Sequence, residues 1–533
     1  MNVRVLPPLQ ELCDRHEHVV LLWDERVEGR ALLGVGAQRS IVIDAPRPGD
    51  WKAWNAFVET SNAQQSWAFG WLGYDLHRSL GLGELSPEQT ATAPHPGKWP
   101  LLCWWEPEVV AEWRPGQVHP EIVVGSERPW ATELQALLAK GDDEKQGRAT
   151  ADTGWEPLEP LWSKDMYKAK FAEVHRALQR GDIYEMNLCM PWAGKAPGAA
   201  SWSIFRRLAE ETRAPHSAYV QAGQWRAMCA SPERFLAKRG RFLHSQPIKG
   251  TVKRGATEEE DHALKAALAS SEKEQAENVM IVDLLRNDLS RISKVGSVKT
   301  PQLFEVENVG DILQMTSSVT SEISPHVTIT DLLRATFPCG SITGAPKKST
   351  MGIISKLEHS GRGIYCGSLG WFDAVTSGNK GLADFTLNVA IRTMEIDSKN
   401  NFSFGVGSGV TIDSNSQIEW NECLLKSNFF VKLPSAVGVF ESMLLKDNIV
   451  LRQDAHFNRL SKSAENLGIP YNLDEIEFLV QEYIHNTNDL NTGLWKIRVA
   501  LSASGKLNIK HSKLENIIEN NVVFWANDLI GTT

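Results

Sequence analysis

Residues 271–292 read SEKEQAENVMIVDLLRNDLSRI, and the rest of the chain is best read outward from this run. Val279, Val282, Leu285 and Leu289 form an apolar stripe at helical spacing, so a helix is expected over about Ser271–Ile292. Glu274 and Glu277 stand three apart on it, on one face. A second pair, Glu419 and Glu422, has the same spacing in a helix expected to begin near Gln417 and to bury Leu424 and Phe429 or their neighbours. Two such faces meeting bring four carboxylates together, too much negative charge to bury without a cation. A hard, oxygen-seeking divalent ion such as Mg²⁺ suits that set. Taken singly, each Glu-x-x-Glu reads far better as a solvated helix face beside Lys273 or Lys426, and the spacing alone is a weak signal.

Outward from this run, a further helix is expected after Ser163, a fitting cap. There Tyr167, Phe171, Val174 and Leu178 recur at helical spacing and Gly181 suits the exit. Strand-like runs occur at Val19–Trp23, Ile41–Ile43, Leu101–Trp105, Phe235–Leu243 and Leu382–Met394. Gly141–Glu159 is polar and charged, a linker or long surface loop. Composition shifts after about residue 395, and a boundary is expected near Pro434. The 533 residues thus divide into an N-terminal region (1–150), a central region (151–433) and a C-terminal region (434–533).

With 42% hydrophobic residues the chain is too apolar to be mainly disordered. Lys+Arg 56 against Asp+Glu 65 gives a net charge of -9, which argues against nucleic acid or an anionic membrane as partner. The 7 cysteines are scattered, with no Cys-x-x-Cys, so a reducing compartment is expected and no structural zinc site. No apolar run approaches a membrane span, and the first residues carry no secretory pattern, so the expected location is cytoplasmic.

Three further stretches invite chemistry. In Pro247-Ile248-Lys249-Gly250-Thr251 a lysine sits at the end of a strand-like run, between a proline and a glycine. An amine is nucleophilic only when neutral, which burial or neighbouring cations such as Lys253 and Arg254 could arrange. Otherwise Lys249 is a surface lysine at a turn. Residues 337–348, FPCGSITGAPKK, form a Gly/Ser/Thr-rich turn entering a helix, where backbone amides bind anions. It is not a Walker A loop, and Gly405-Val406-Gly407-Ser408-Gly409 is not a Rossmann fingerprint. Arg392, read as a strand residue, could fork onto a carboxylate or form an ordinary salt bridge.

Together these stretches resemble the chorismate-utilising enzymes. The resemblance runs from about Ser163 to Val431, through Gly181-Asp182-Ile183-Tyr184, Ser231-Pro232-Glu233-Arg234-Phe235, PIKGT at 247–251 and residues 276–289. It continues through FPCGSITGAPK at 337–347, RGIYCGSLG at 362–370, and GVGSGVTIDS followed by Glu419-Trp420-Asn421-Glu422. Residues 66–76, SWAFGWLGYDL, resemble the family's N-terminal region. The resemblance implies a mixed α+β fold with large antiparallel sheets in a sandwich and helices outside, plus a small α+β C-terminal appendage.

Within the family, members that add water at C2 carry a lysine where this chain has Glu185, and anthranilate-forming members carry Ala in place of Lys249. PIKGT, with Gln246 before it, is the form of the branch that makes 4-amino-4-deoxychorismate for para-aminobenzoate and folate. The resemblance therefore implies an amino-group transfer. Lys249 attacks ring C2, Glu233 is the general acid on the departing C4 hydroxyl, and ammonia adds at C4. It implies Mg²⁺ held by Glu277 and Glu422, with Glu274 and Glu419 through water. Tyr365, Arg392 and the Gly409 amide would hold the enolpyruvyl carboxylate, and Ser341 the ring carboxylate. Thr343 and Gly407 complete the substrate-binding set. Gln314 replaces a His associated with pyruvate elimination in anthranilate-forming members, which is compatible with stopping at the amino product. Val19–Glu25 lacks those members' Leu-Leu-Glu-Ser feedback signature, so regulation by tryptophan is not expected. No Gly-x-Cys-x-Gly-x-Gln elbow occurs, so a separate glutamine amidotransferase subunit is implied as the ammonia source.

Beyond residue 434, Val439-Phe440-Glu441-Ser442-Met443, residues 454–460 (DAHFNRL) and Trp495-Lys496-Ile497-Arg498 resemble the start of a class IV pyridoxal-phosphate fold, to which aminodeoxychorismate lyase belongs. The cofactor lysine of that family has no counterpart, because Lys510 and Lys513 lack its context, although Arg459 stands where a phosphate contact is usual. A truncated lyase small domain is expected, or a packing or dimerising appendage. Three competing readings are an anthranilate-forming sister enzyme, a pyridoxal-phosphate enzyme and a non-catalytic subunit.

Overall fold

The computed structural model describes residues 6–7, 9–24, 29–45, 47, 49–78, 99–140, 159–195, 201–255, 257–309, 312–358, 360–373, 382–431, 439–466, 469, 471–487, 490, 492–501 and 507–514. These fall into two compact units, one within residues 6–431 and one within 439–514. The boundary expected near Pro434 and most of the linker expected at Gly141–Glu159 lie outside the described residues. Glu159 itself belongs to a short strand, Glu159–Pro160.

The first unit is a mixed α+β fold built on two antiparallel sheets of 11 and 10 described strands. In the larger sheet, Glu185–Lys195 lies beside Asn401–Val410, followed by Thr393–Ile396, Trp225–Ser231, His216–Ala222, His18–Trp23 and Ala31–Val35. In the other, Ile248–Lys253 lies beside Ile312–Glu322, and Ser368–Asp373 pairs with Ala68–Leu72. The N-terminal region is thus hydrogen-bonded into both sheets, for example Val20 opposite Val220 and Gly70 opposite Gly370. Ala68–Leu72, Leu102–Glu106 and Val109–Trp113 are buried along their whole length, as strands covered on both faces are. Trp71, Trp104 and Trp105 are fully buried there, and large rings fill such a core with few residues.

The helix Lys164–Gln179 starts as its sequence suggests: the Ser163 hydroxyl accepts the Met166 N–H at 3.2 Å, and Gly181 follows the helix at φ 77°. The helix Glu272–Ser290 buries Ile281, Val282, Leu285 and Leu289, but Val279 is 42% exposed. Asn278 takes its place on the inward arc, where the Ser317 hydroxyl donates to its Oδ1 at 2.6 Å while its Nδ2 finds no partner among the described residues. In Ser416–Val431 the buried apolar residues are Trp420, Cys423 and Phe430, neighbours of Leu424 and Phe429.

Two strand expectations change. Phe235–Leu243 is a hairpin of Arg234–Arg239 and Phe242–Gln246, turning at Gly240 with φ 56°. Leu382–Met394 contains two strands in different sheets, Asp384–Asn388 and Thr393–Ile396. Arg392 lies on the crossing between them, at φ 51°, and is not a strand residue.

The second unit is a four-stranded antiparallel sheet with two helices, Gln453–Asn466 and Leu473–Asn486, around a small core that includes Met443, Leu445, Phe457, Val480 and Ile497.

Candidate active site

Lys249 is the second residue of Ile248–Lys253, just before a register shift at Gly250, which has φ 78°. That backbone conformation favours glycine, and an added Cβ at Gly250 would lie 2.9 Å from Glu274 Oε2, so the bulge runs close against the acidic helix. The Lys249 amine donates to Glu185 Oε1 at 2.5 Å and lies 3.9 Å from Glu277 Oε2. Burial alone would lower its pKa, but the carboxylates of Glu185, Glu277 and Glu233 outweigh burial and raise it. The expectation of an amine made neutral by nearby cations is therefore corrected: Lys249 is an ammonium among carboxylates. Arg254 is engaged with Asp261 at 2.8 Å.

Glu233 sits between the strands Trp225–Ser231 and Arg234–Arg239 and is 4% exposed. Burial pushes its pKa up to about 7, against the pull of the Ser341 hydroxyl and the Lys249 charge. Its Oε1 has no hydrogen-bond partner among the described residues. A carboxyl so placed is protonated for much of the time near neutrality, as a general acid needs.

The glycines of Asn401–Val410 form the floor beside it. Gly409, Gly407 and Gly405 pair with Asn187, Cys189 and Pro191 and share one face, because side chains alternate along a strand. An added Cβ at Gly409 would lie 2.7 Å from Glu185 Oε1 and 3.4 Å from Lys249 Nζ. One at Gly407 would lie 2.6 Å from Asn187 Oδ1, and one at Gly405 would lie 2.3 Å from the Tyr365 ring. A track of glycines thus runs from the amine to Tyr365. Ser341, in the short turn Gly340–Ile342, sits by Glu233. Thr343 instead spends its hydroxyl inside the turn, on the carbonyls of Cys339 at 3.0 Å and Gly340 at 3.2 Å. Arg392 stacks on Phe429, 4.0 Å from the ring centroid. Burial lowers its pKa to about 10, and no carboxylate pairs with it among the described residues. A half-buried guanidinium without an acid partner suits an anionic ligand.

The acidic pairs each take lysine partners. Glu277 has Lys249 and, at 3.9 Å, Lys273; Glu422 has Lys426 at 2.6 Å. No hydrogen bond or ion pair joins the two pairs, and no three His, Cys, Asp or Glu side chains are grouped to hold an ion, among the described residues. The donor chemistry nevertheless fits a hard cation. The Glu277 pKa is raised, first by burial and then by Glu185 and Glu274, with Lys249 opposing. Glu419 is 6% exposed, and no hydrogen bond or ion pair reaches its carboxylate among the described residues.

Sequence reasoning missed Asn187, and it named Lys426 only as a neighbour of the acidic pair, not as the amine that also donates to the Gly407 carbonyl at 3.1 Å. The signal for the first was the alternation of Glu185, Asn187 and Cys189 along one strand face. In the C-terminal unit Arg459 is closed onto Glu441 through bonds of 3.0 Å, with His456 at 2.8 Å. Lys510 is an exposed strand residue opposite Arg498, and Lys513 lies over the Trp495 ring. The described residues do not suit a pyridoxal-phosphate site.

A model of the chorismate binding enzyme family matches residues 18–432, and the chain belongs to that family. A model of class IV amino-transferases matches residues 438–524. Among curated relatives, aminodeoxychorismate synthase component 1 of Bacillus subtilis is 34% identical over 301 residues, 56% of this chain and 60% of that protein. Its namesake in Klebsiella aerogenes is 38% identical over 50% of this chain and 57% of its own length. The one in Escherichia coli is 33% identical over 373 residues, 69% of this chain and 77% of that protein. The chain thus spans about three fifths of the first two relatives. Among solved structures, anthranilate synthase component I from Streptococcus pneumoniae superposes with a TM-score of 0.62 at 23% identity, over 75% of this chain and 91% of that one. The menaquinone-specific isochorismate synthase of Escherichia coli gives 0.60 at 14% identity, over 81% of this chain and 96% of that one. Both have the fold of the first unit.

Proposed function

We propose that the chain converts chorismate and ammonia to 4-amino-4-deoxychorismate, an amino-group transfer, with ammonia supplied by a glutamine amidotransferase partner. The observation that carries the reading is a lysine amine held between Glu185 and Glu277 in the same site as Glu233, a carboxyl whose pKa is about 7. The named relatives supply the substrate class.

Lys249 begins as an ammonium and must lose a proton before it attacks. Glu185 already touches it, and the buried Oε2 of that carboxylate has no hydrogen-bond partner among the described residues. The freed amine forms a bond to ring C2, the ring double bonds shift, and the C4–O bond breaks. Glu233 gives its proton to the departing hydroxyl, which leaves as water. Ammonia then bonds to C4, the double bonds return, and the C2–N bond to Lys249 breaks. The enolpyruvyl ether is untouched throughout. Arg392, the Gly409 amide and Tyr365 would hold the enolpyruvyl carboxylate, and Ser341 would approach the ring carboxylate. Glu277 and Glu422, with Glu274 and Glu419, would hold Mg²⁺, which supplies positive charge for the ring carboxylate.

The test is mass spectrometry of the product from chorismate, Mg²⁺ and ammonium. An ion of 4-amino-4-deoxychorismate is expected. Anthranilate, or isochorismate formed by water addition, overturns the assignment.

A further inference from the structure

Arg362 and Glu358 are 6% and 5% exposed and form a two-pronged ion pair, Nε to Oε2 and Nη2 to Oε1, both at 2.7 Å. A buried ion pair adds little net stability over well-packed apolar side chains, so its presence calls for another explanation. The remaining donors and acceptors supply one. Nη1 donates to the carbonyl of Ile342 at 2.8 Å, next to Ser341. Nη2 also donates to the carbonyl of Asn187 at 2.9 Å, the residue paired with Gly409. Glu358 Oε1 accepts the backbone N–H of Cys189 at 3.1 Å, the residue paired with Gly407. Arg362 itself lies three residues before Tyr365, with its own N–H on Asp75 Oδ2 at 2.9 Å and its guanidinium 4.6 Å from the Tyr74 ring centroid.

One ion pair therefore touches the backbone of the segments that carry Ser341 and Tyr365, and of the strand paired with the one that carries Gly409. Those segments are the Ser341 turn, the strand backing the glycine track, and the turn leading to Tyr365. We propose that Arg362 and Glu358 are positioning residues that fix the distance between the two carboxylate subsites, so that a dicarboxylate is gripped at both ends at once. The inference rests on reading the site as one for a dicarboxylate ring. A planar guanidinium holds two carbonyls and a carboxylate in one rigid plane, whereas a lysine amine is a single point that cannot.

Equilibrium binding to the full chain with Mg²⁺ tests this with two probes. One is 3-(1-carboxyvinyloxy)benzoate, which places both carboxylates on an unreactive ring; the other is benzoate, which has one. Arg362→Lys is expected to weaken the dicarboxylate about tenfold, since displacements of an ångström are costly for a two-point grip. Benzoate affinity should change less than about twofold, as one subsite alone does not sense the spacing. Glu358→Gln keeps the volume but turns an N–H₂ toward the guanidinium or the Cys189 amide, and the same selective loss is expected. It serves as the second variant should Arg362→Lys not fold. Equal weakening of both probes, or an unchanged dicarboxylate affinity in a folded variant, overturns the proposal. Failure of the wild-type chain to bind the dicarboxylate would instead sink the functional reading beneath it.

Discussion

Glu233→Gln should stabilise the protein at alkaline pH while removing its turnover. The carboxyl is 4% exposed, and burial raises its pKa from 4.5 to about 7. A group with a folded pKa above its unfolded one holds its proton more tightly in the folded state. Folding therefore weakens as pH rises, starting near the unfolded value and completing above about 7. The whole span corresponds to roughly 3 kcal/mol, of which roughly 2–3 falls between pH 5 and pH 9. Gln carries no charge and escapes this loss. Its amide enters a place where Oε1 already lacks a partner, a pH-independent cost of about 1–2 kcal/mol. Urea unfolding of both proteins at pH 5 and pH 9 reads the difference. The variant should gain roughly 2–3 kcal/mol on the wild type across that interval. Its turnover should fall at least about a hundredfold for want of the general acid. A stability difference that does not change with pH refutes the buried, proton-retaining carboxyl, and wild-type turnover refutes its catalytic role.

Lys249→Ala should abolish product formation and also cost about 3 kcal/mol or more of stability, because Glu185, 1% exposed, loses its cation. Adding Glu185→Gln should restore thermal stability without restoring product; wild-type turnover in Lys249→Ala excludes the covalent step. Glu277→Gln and Glu422→Gln should each remove turnover and flatten its response to a Mg²⁺ titration, and full turnover in either would disprove the metal assignment. Gly409→Ala places a methyl 2.7 Å from Glu185 Oε1 and 3.4 Å from Lys249 Nζ, so turnover should drop at least about tenfold with little change in circular dichroism. An unaffected rate would show that the glycine strand does not border the reacting amine.

What the sequence made legible follows from how far each signal reaches along the chain. Ser163, Tyr167, Phe171 and Val174 sit within four helical turns of one another, and their periodicity states both the helix and its inward face. Val279 shows the limit: an apolar residue at plausible spacing was displaced by Asn278, whose amide oxygen is met by a serine from a distant strand. The charge state of Lys249 was out of reach for the same reason. Its neighbours in sequence include Lys253 and Arg254, while its neighbours in space are Glu185 and Glu277, supplied by other elements. Arg392 was misread as a strand residue because both flanks are strand-like and only the change of sheet breaks the run. The role of Arg362 depends on carbonyls at positions 187 and 342, which carry no side-chain signature.

The pairing of His18–Trp23 with His216–Ala222 has a consequence for biosynthesis. A ribosome adding ~5–20 residues per second needs about 10 to 40 s to travel from one strand to the other. During that delay Val19, Val20 and Leu21, all fully buried in the finished protein, have no hydrogen-bonding neighbour on that side. The nascent chain is therefore exposed to mispairing and to chaperone capture from its first hundred residues, and truncation within the second hundred leaves an open, sticky sheet edge.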